Sequence, residues 1–172
     1  DLSHWFVLGT YALSDIGIFC GGGTSNVMDY ITIATAGNAT DYGDLTTTTD
    51  IAAGVSSSTR GVIGGGDRAG SVNVIDYVTI AIAGNATDFG DLSVARNNLA
   101  GASNLTRGIF AGGDTGSDSN VIDYITIAST GNATDFGDLT RSNRAVTGLG
   151  GDTRGVFAGG ALTSNVMDYI TI

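Results

Sequence analysis

Apolar and polar positions alternate in short runs along this chain, and the clearest run returns four times. Asn120-Val-Ile-Asp-Tyr-Ile-Thr-Ile-Ala-Ser129 places Val121, Asp123, Ile125 and Ile127 on one side of an extended segment and Ile122, Tyr124, Thr126 and Ala128 on the other. Both sides carry apolar groups, so the expected strand sits in a sheet covered on both faces. Nearly the same words begin at Asn26, Asn73, Asn120 and Asn165, and their aspartates, Asp29, Asp76, Asp123 and Asp168, are 47, 47 and 45 residues apart. A fixed period of that size marks a repeat array.

Aligning the repeats predicts four short strands per unit; in the third unit they fall at 96–103, 107–113, 120–129 and 134–140. Gly131-Asn132, like Gly37-Asn38 and Gly84-Asn85, supplies a turn that makes the third and fourth segments a hairpin. The second segment closes on glycines (Gly21 to Gly23, Gly64 to Gly66, Gly112-Gly113, Gly159-Gly160), where positive φ or close backbone approach is expected. Four antiparallel strands in about 47 residues, apolar on both faces, predict an all-β fold: a β-propeller of four-stranded blades. The blades fall at 3–44, 45–91, 92–138 and 139–172, three complete and a fourth lacking its last strand. The start at Asp1 and the stop at Ile172 inside a repeat word read as a piece of a longer chain; otherwise several copies, a homo-oligomer, would have to complete the ring.

Two resemblances follow from the wording. Arg107-Gly-Ile-Phe-Ala-Gly-Gly113 and Phe136-Gly-Asp-Leu139 resemble the second and fourth strands of a kelch-type repeat, with Phe in place of Trp and with Asp-Tyr inverted relative to the family's Tyr-Asp. More closely, Asp-Tyr-Ile-Thr-Ile-Ala-Ser-Thr-Gly-Asn-Ala-Thr-Asp-Phe-Gly-Asp-Leu is similar to repeats in virion-associated proteins of marine tailed phages, cyanophages especially. That resemblance implies a virion component of tail, fibre or capsid surface. Its partners would be other virion proteins or a glycan or protein of the host surface. A cellular or secreted interaction scaffold of the same fold is the alternative setting, and a propeller enzyme acting on glycans a third. Fold alone does not choose among them.

Composition narrows the chemistry. There is no Pro, Lys, Glu or Gln; Gly, Thr, Asn, Ser, Ile and Val dominate, a vocabulary of strands and tight turns. All 17 acids are Asp, many beside Gly or Asn, which predicts acidity placed largely in turns. With a net charge of −10, a basic face for nucleic acid or an anionic membrane is not expected, and no apolar tract is long enough to cross a membrane as a helix. One His (His4) and one Cys (Cys20) leave most nucleophile-and-base pairs unassembled, so no catalytic residue, metal site or cofactor is expected. The repeated pairs Asp41/Asp44, Asp88/Asp91 and Asp135/Asp138 read as turn chemistry, as do the glycosylation-like Asn38, Asn85 and Asn132 triplets.

Two sets of residues remain as candidates. Arg60, Arg107 and Arg154 recur before the second segment, and with Asp29, Asp76, Asp123 and Asp168 they suggest structural ion pairs across strands or between blades. Cys20, standing where Ala111 and Ala158 stand, reads as a small buried side chain. The loops after the glycines differ between units, and in a propeller they share one face. A binding face is therefore expected around Asp67, Arg68, Asp114, Asp118 and Leu162. Trp5 is added from the atypical first unit, where either Trp5, Phe6 and Tyr11 fill a wider gap or face a neighbouring domain, or His4-Trp5 forms part of a ligand site through aromatic stacking.

Overall fold

The computed structural model of the chain describes residues 6–7, 15–23, 25–161 and 165–172. Among these there is no helix, and 15 strands form four antiparallel sheets. The first sheet joins β1 (Phe6–Val7), β2 (Ile16–Cys20), β3 (Val27–Thr32) and β4 (Thr40–Asp44). The second joins β5 (Ala53–Ser56), β6 (Arg60–Gly64), β7 (Val74–Thr79) and β8 (Thr87–Asp91). The third holds β9 (Ala100–Ser103), β10 (Arg107–Ala111), β11 (Val121–Thr126) and β12 (Thr134–Asp138), and the last β13 (Val146–Gly150), β14 (Arg154–Gly159) and β15 (Met167–Thr171). Each sheet is a simple meander in chain order.

Three local expectations need correction. The first strand of the third unit is Ala100–Ser103, shorter than 96–103, because the backbone before it bonds to a neighbouring loop: the Arg96 carbonyl accepts from Gly66 N–H at 3.0 Å. The third strand is not covered along its whole length. Thr126 and Ala128 are exposed, because the ladder ends where Thr126 pairs with Arg107 and the chain turns away. The recurring acid pairs, finally, lie inside the edge strands β4, β8 and β12 and not in turns. Exposed Asp side chains on an edge discourage pairing with another chain's edge.

Each fourth strand carries one extra residue opposite its partner. Ile122 pairs with Gly137 and Asp123 with Asp135, so Phe136 bulges, and Tyr42 and Phe89 do the same in β4 and β8. The bulge turns each ring edge-on to the third-strand tyrosine, with Tyr30–Tyr42, Tyr77–Phe89 and Tyr124–Phe136 centroids 5.9 to 6.0 Å apart. An aromatic in this register therefore packs between sheets.

The core lies between successive sheets. Ile18, Cys20, Met28 and Tyr42 meet Ile63, Val78 and Ile80; Val62, Ile75 and Phe89 meet Phe110, Ile125 and Ile127; Ile109, Ala111 and Ile122 meet Phe157. The second and third sheets thus each offer one apolar face to the unit before and the other to the unit after. The first strands come closest: a side chain at Gly101 would strike the Gly54 carbonyl, and one at Gly148 the Gly101 carbonyl. The closing glycines act as staples. Gly65 holds φ +69 with the Arg96 carbonyl 2.5 Å from where a Cβ would stand, and Gly22, Gly66 and Gly113 donate to the carbonyls of Thr49, Arg96 and Asn143 of the next unit.

Candidate binding face

The recurring charges separate onto opposite faces of their sheets. Arg60 pairs with Thr79, which shares a face with Tyr77, while Asp76 points to the other face. Arg60, Arg107 and Arg154 accordingly do not meet the recurring aspartates. Their guanidinium carbons lie 4.5, 4.9 and 4.9 Å from the ring centroids of Tyr77, Tyr124 and Tyr169, and Arg60 also donates to the Ile127 carbonyl of the next unit.

The aspartates hold the segment that leads into their own unit. Asp76 accepts from Thr46 N–H at 3.1 Å and from its hydroxyl at 2.8 Å, Asp123 from Ser93 N–H at 3.1 Å, and Asp168 from Thr140 N–H and hydroxyl at 3.1 and 2.7 Å. Asp29 pairs with Phe19 across β2 and β3. The buried carboxylates differ in compensation. Asp123 and Arg96, both fully buried, form an ion pair at 3.0 Å, and Arg96 donates further to the Phe110 carbonyl. Burial pushes the Arg96 guanidinium below its ordinary value, and Asp123 opposes that shift. Sequence reasoning named Asp123 and missed Arg96. The signal was there: a lone long cation at 96 stands where Thr49 and Asn143 stand in the flanking units.

Asp76 carries no such partner at contact distance, and burial raises its pKa; Thr46 and the more distant Arg68 oppose the shift, and Asp88 adds to it. A carboxyl raised in the folded state contributes stability that is complete below the unfolded pKa and lost as pH rises through the folded one. Asp76→Asn keeps an oxygen for Thr46 and should remove this dependence. Urea melts of both proteins from about pH 3.5 to 7 should show wild type losing stability relative to the variant as pH rises; parallel curves would refute the assignment. Cys20 lies fully buried, its thiol pushed up to about 12 by burial and secondarily by Asp76, so it is an inert packing group.

The Asn-Ala-Thr triplets at Asn85 and Asn132 are seams between sheets. Asn85 Oδ1 accepts from Asp44 N–H and Asn132 Oδ1 from Asp91 N–H, each at 3.1 Å, while Ala86 and Ala133 donate to the carbonyls of the same aspartates.

The loops after Gly66 and Gly113 lie against each other. Asp67 exchanges backbone bonds with Asp50, and Asp114 does so with Asn97. Asn97 donates to Asp67 at 3.1 Å and to Ser71 at 3.2 Å, Ser71 donates to the Asp114 carbonyl, and Arg144 reaches Asp118 at 2.5 Å and Asp114 at 3.6 Å. Asp114 and Asp118 are therefore engaged by the neighbouring unit. Asp67, to which Asn97 donates, and Arg68 line an open hollow of about 510 Å³ with Gly23, Thr48, Asp50, Ile51 and Ala69. Leu162 and Trp5, with His4 and Tyr11, lie outside the described residues, and so do the side-chain surroundings of Phe6.

Ile51 was not legible beforehand. It holds φ 46, a left-handed conformation costly for a β-branched residue, and its carbonyl accepts from Asn98 N–H, whose own carbonyl accepts from Ala145 N–H. Asn98 and Ala145 share the conformation at φ 52 and 55, so one left-handed residue in each of the second, third and fourth units joins this chain of backbone bonds, and Ala69 adds another in the second unit at φ 68. No residue type repeats at 51, 98 and 145, which left no sequence signal. Chemically the hollow offers two carboxylates and a guanidinium beside an apolar Ile51, a set suited to hydroxyls and amides. Among the described residues no group of three or more His, Cys, Asp or Glu is placed to hold a metal ion. Compared with known families and curated proteins, the chain matches no family model and no curated sequence.

Proposed function

We propose that the chain is a kelch-like β-propeller segment acting as a non-enzymatic structural and recognition module of a tailed-phage virion, with the loop end turned to the host surface. The propeller reading is supported by meander sheets packed face to face, with the first strands β5, β9 and β13 side by side. The observation that carries the recognition reading is a division of labour. The recurring Asp, Arg and Asn side chains hold strands and units together, while one of the loops that differ between units, at Asp67 to Ala69, lines the open hollow. The phage setting rests on the wording of the repeat, and the ligand that suits the hollow is a polar host-envelope glycan.

Host-envelope polysaccharide immobilised on a sensor is the test. The chain should be retained, Arg68→Ala should weaken retention about tenfold, as expected for a charge-assisted contact, and the polysaccharide should keep its length. Equal retention of the variant would remove the hollow from the reading, and release of reducing ends would overturn the non-enzymatic one.

A further inference from the structure

Asn97 and Arg144 stand at corresponding places in successive linkers, each one residue before a left-handed residue, and each holds the loop between the second and third strands of the preceding unit. Asn97 donates to Asp67 at 3.1 Å and to Ser71 at 3.2 Å, and Arg144 donates to Asp118 at 2.5 Å. In both junctions the linker brings donors and the loop brings acceptors. Asp50 takes this place before Ile51, and an ionised carboxylate only accepts. The first unit's loop is also short: after the paired glycines it covers 23–26, where its counterparts cover 67–73 and 114–120. The open hollow of about 510 Å³ lies at this junction, with Gly23, Asp50 and Asp67 in its wall. Space therefore opens where the chain's own loop is shortest, beside a linker side chain of reversed polarity.

We propose that this hollow takes a sugar bearing a free amine, with Asp50 as the residue that selects it; the inference rests on the glycan reading above and narrows it. Asp67 is engaged at both carboxylate oxygens, by Gly70 N–H at 2.8 Å and by Asn97. Asp50 accepts from Ile51 N–H through Oδ1 at 2.9 Å, and a carboxylate has acceptor sites beyond one such bond. Asp50 is thus the carboxylate that meets a ligand, and with Asp67 against Arg68 the wall is negative on balance, which favours a cation over an anion. A protonated sugar amine donates to Asp50 while hydroxyls on the adjacent carbons accept from Arg68, whose Nε has no hydrogen-bond partner among the described residues. Ile51 and Ala69 offer apolar surface to the ring's C–H face. The competing chemistries each leave one group unserved. A lysine or arginine side chain brings donors only, so Arg68 gains no acceptor; an acidic sugar serves Arg68 and is repelled by both carboxylates. An N-acetylated sugar lacks the charge that Asp50 matches.

The test is calorimetric titration of the 172-residue chain with the linear trisaccharide of glucosamine and with its N-acetylated form, at about pH 6, where amines are protonated and carboxylates ionised. Saturable binding of the amine form is expected, about tenfold tighter than that of the N-acetylated form. Asp50→Asn keeps an oxygen for Ile51 N–H, so its urea melt should match wild type while its affinities for the two sugars become about equal. Equal affinity of wild type for the two sugars, no binding of either, or a preference that survives Asp50→Asn would overturn the amine assignment. If retention on the host polysaccharide still depended on Arg68, the recognition reading would stand without it; loss of that dependence as well would remove the hollow from both. Displacement of the trisaccharide by a lysine peptide of equal charge at equal concentration would also overturn the proposal, by assigning the hollow to a basic protein segment.

Discussion

Arg96→Met should destabilise the folded chain by about 3–5 kcal/mol, because it removes one partner of a buried ion pair and leaves the other charge uncompensated. Arg96 and Asp123 are both fully buried, 3.0 Å apart, and the guanidinium also serves the Phe110 carbonyl. The double variant Arg96→Met with Asp123→Asn should recover much of the loss, since no unpaired charge then remains in the interior, and Ser93 N–H keeps an oxygen to bond. Urea unfolding of wild type, both single variants and the double variant gives the coupling. Additive losses would mean that the two groups do not act as a pair. Local bonding at this site is incomplete, with Arg96 Nε and Nη1 and Asp123 Oδ1 lacking hydrogen-bond partners among the described residues, so attraction between the charges carries most of the compensation.

Phe110→Ala should cost a similar amount, about 3–5 kcal/mol, through lost burial and the cavity left behind. Phe110 is fully buried and crosses from its own sheet onto the second, where the bare backbone of Gly64 makes room: a Cβ there would stand 2.9 Å from the ring. Phe19 occupies the same register in the first sheet and is only half-buried. Phe19→Ala should therefore cost less than half as much. The matched pair separates packing between sheets from strand propensity, which is common to both. Equal losses in urea melts would show that the ring's contribution is local to its own strand.

Phe110 and Arg96 illustrate two degrees of legibility. Phe110 belongs to a recurring phrase, and alternation alone places its neighbours on opposite faces of a strand. Arg96 belongs to no phrase, because it fills a gap that Thr49 and Asn143 fill differently in the other units. Repetition reports what every unit needs, whereas a single substitution within it reports what one unit lacks. The recurring Arg and Asp positions show the limit of the first kind of signal. Their co-occurrence suggested pairing, yet the period of two put Arg60 and Asp76 on opposite faces, and each found a partner that matched its own side, Tyr77 for one and Thr46 for the other.

At the candidate binding face the division is similar. Loop variation pointed to Asp67, Arg68, Asp114 and Asp118, and all four do lie in the loop cluster. Which of them line the hollow and which are held by Arg144 depended on contacts between units, and Ile51 owes its place to a backbone conformation that no residue type announces.

The repeat phrase by itself determined the all-β class, the four strands per unit and the glycine-closed second strand, because alternation and turn chemistry act over a few residues. Only the tertiary structure decided which charge meets which and why Asn85 and Asn132 recur. Those depend on how neighbouring sheets face each other, and spacing along the chain does not encode distances between faces that meet 30 to 47 residues apart.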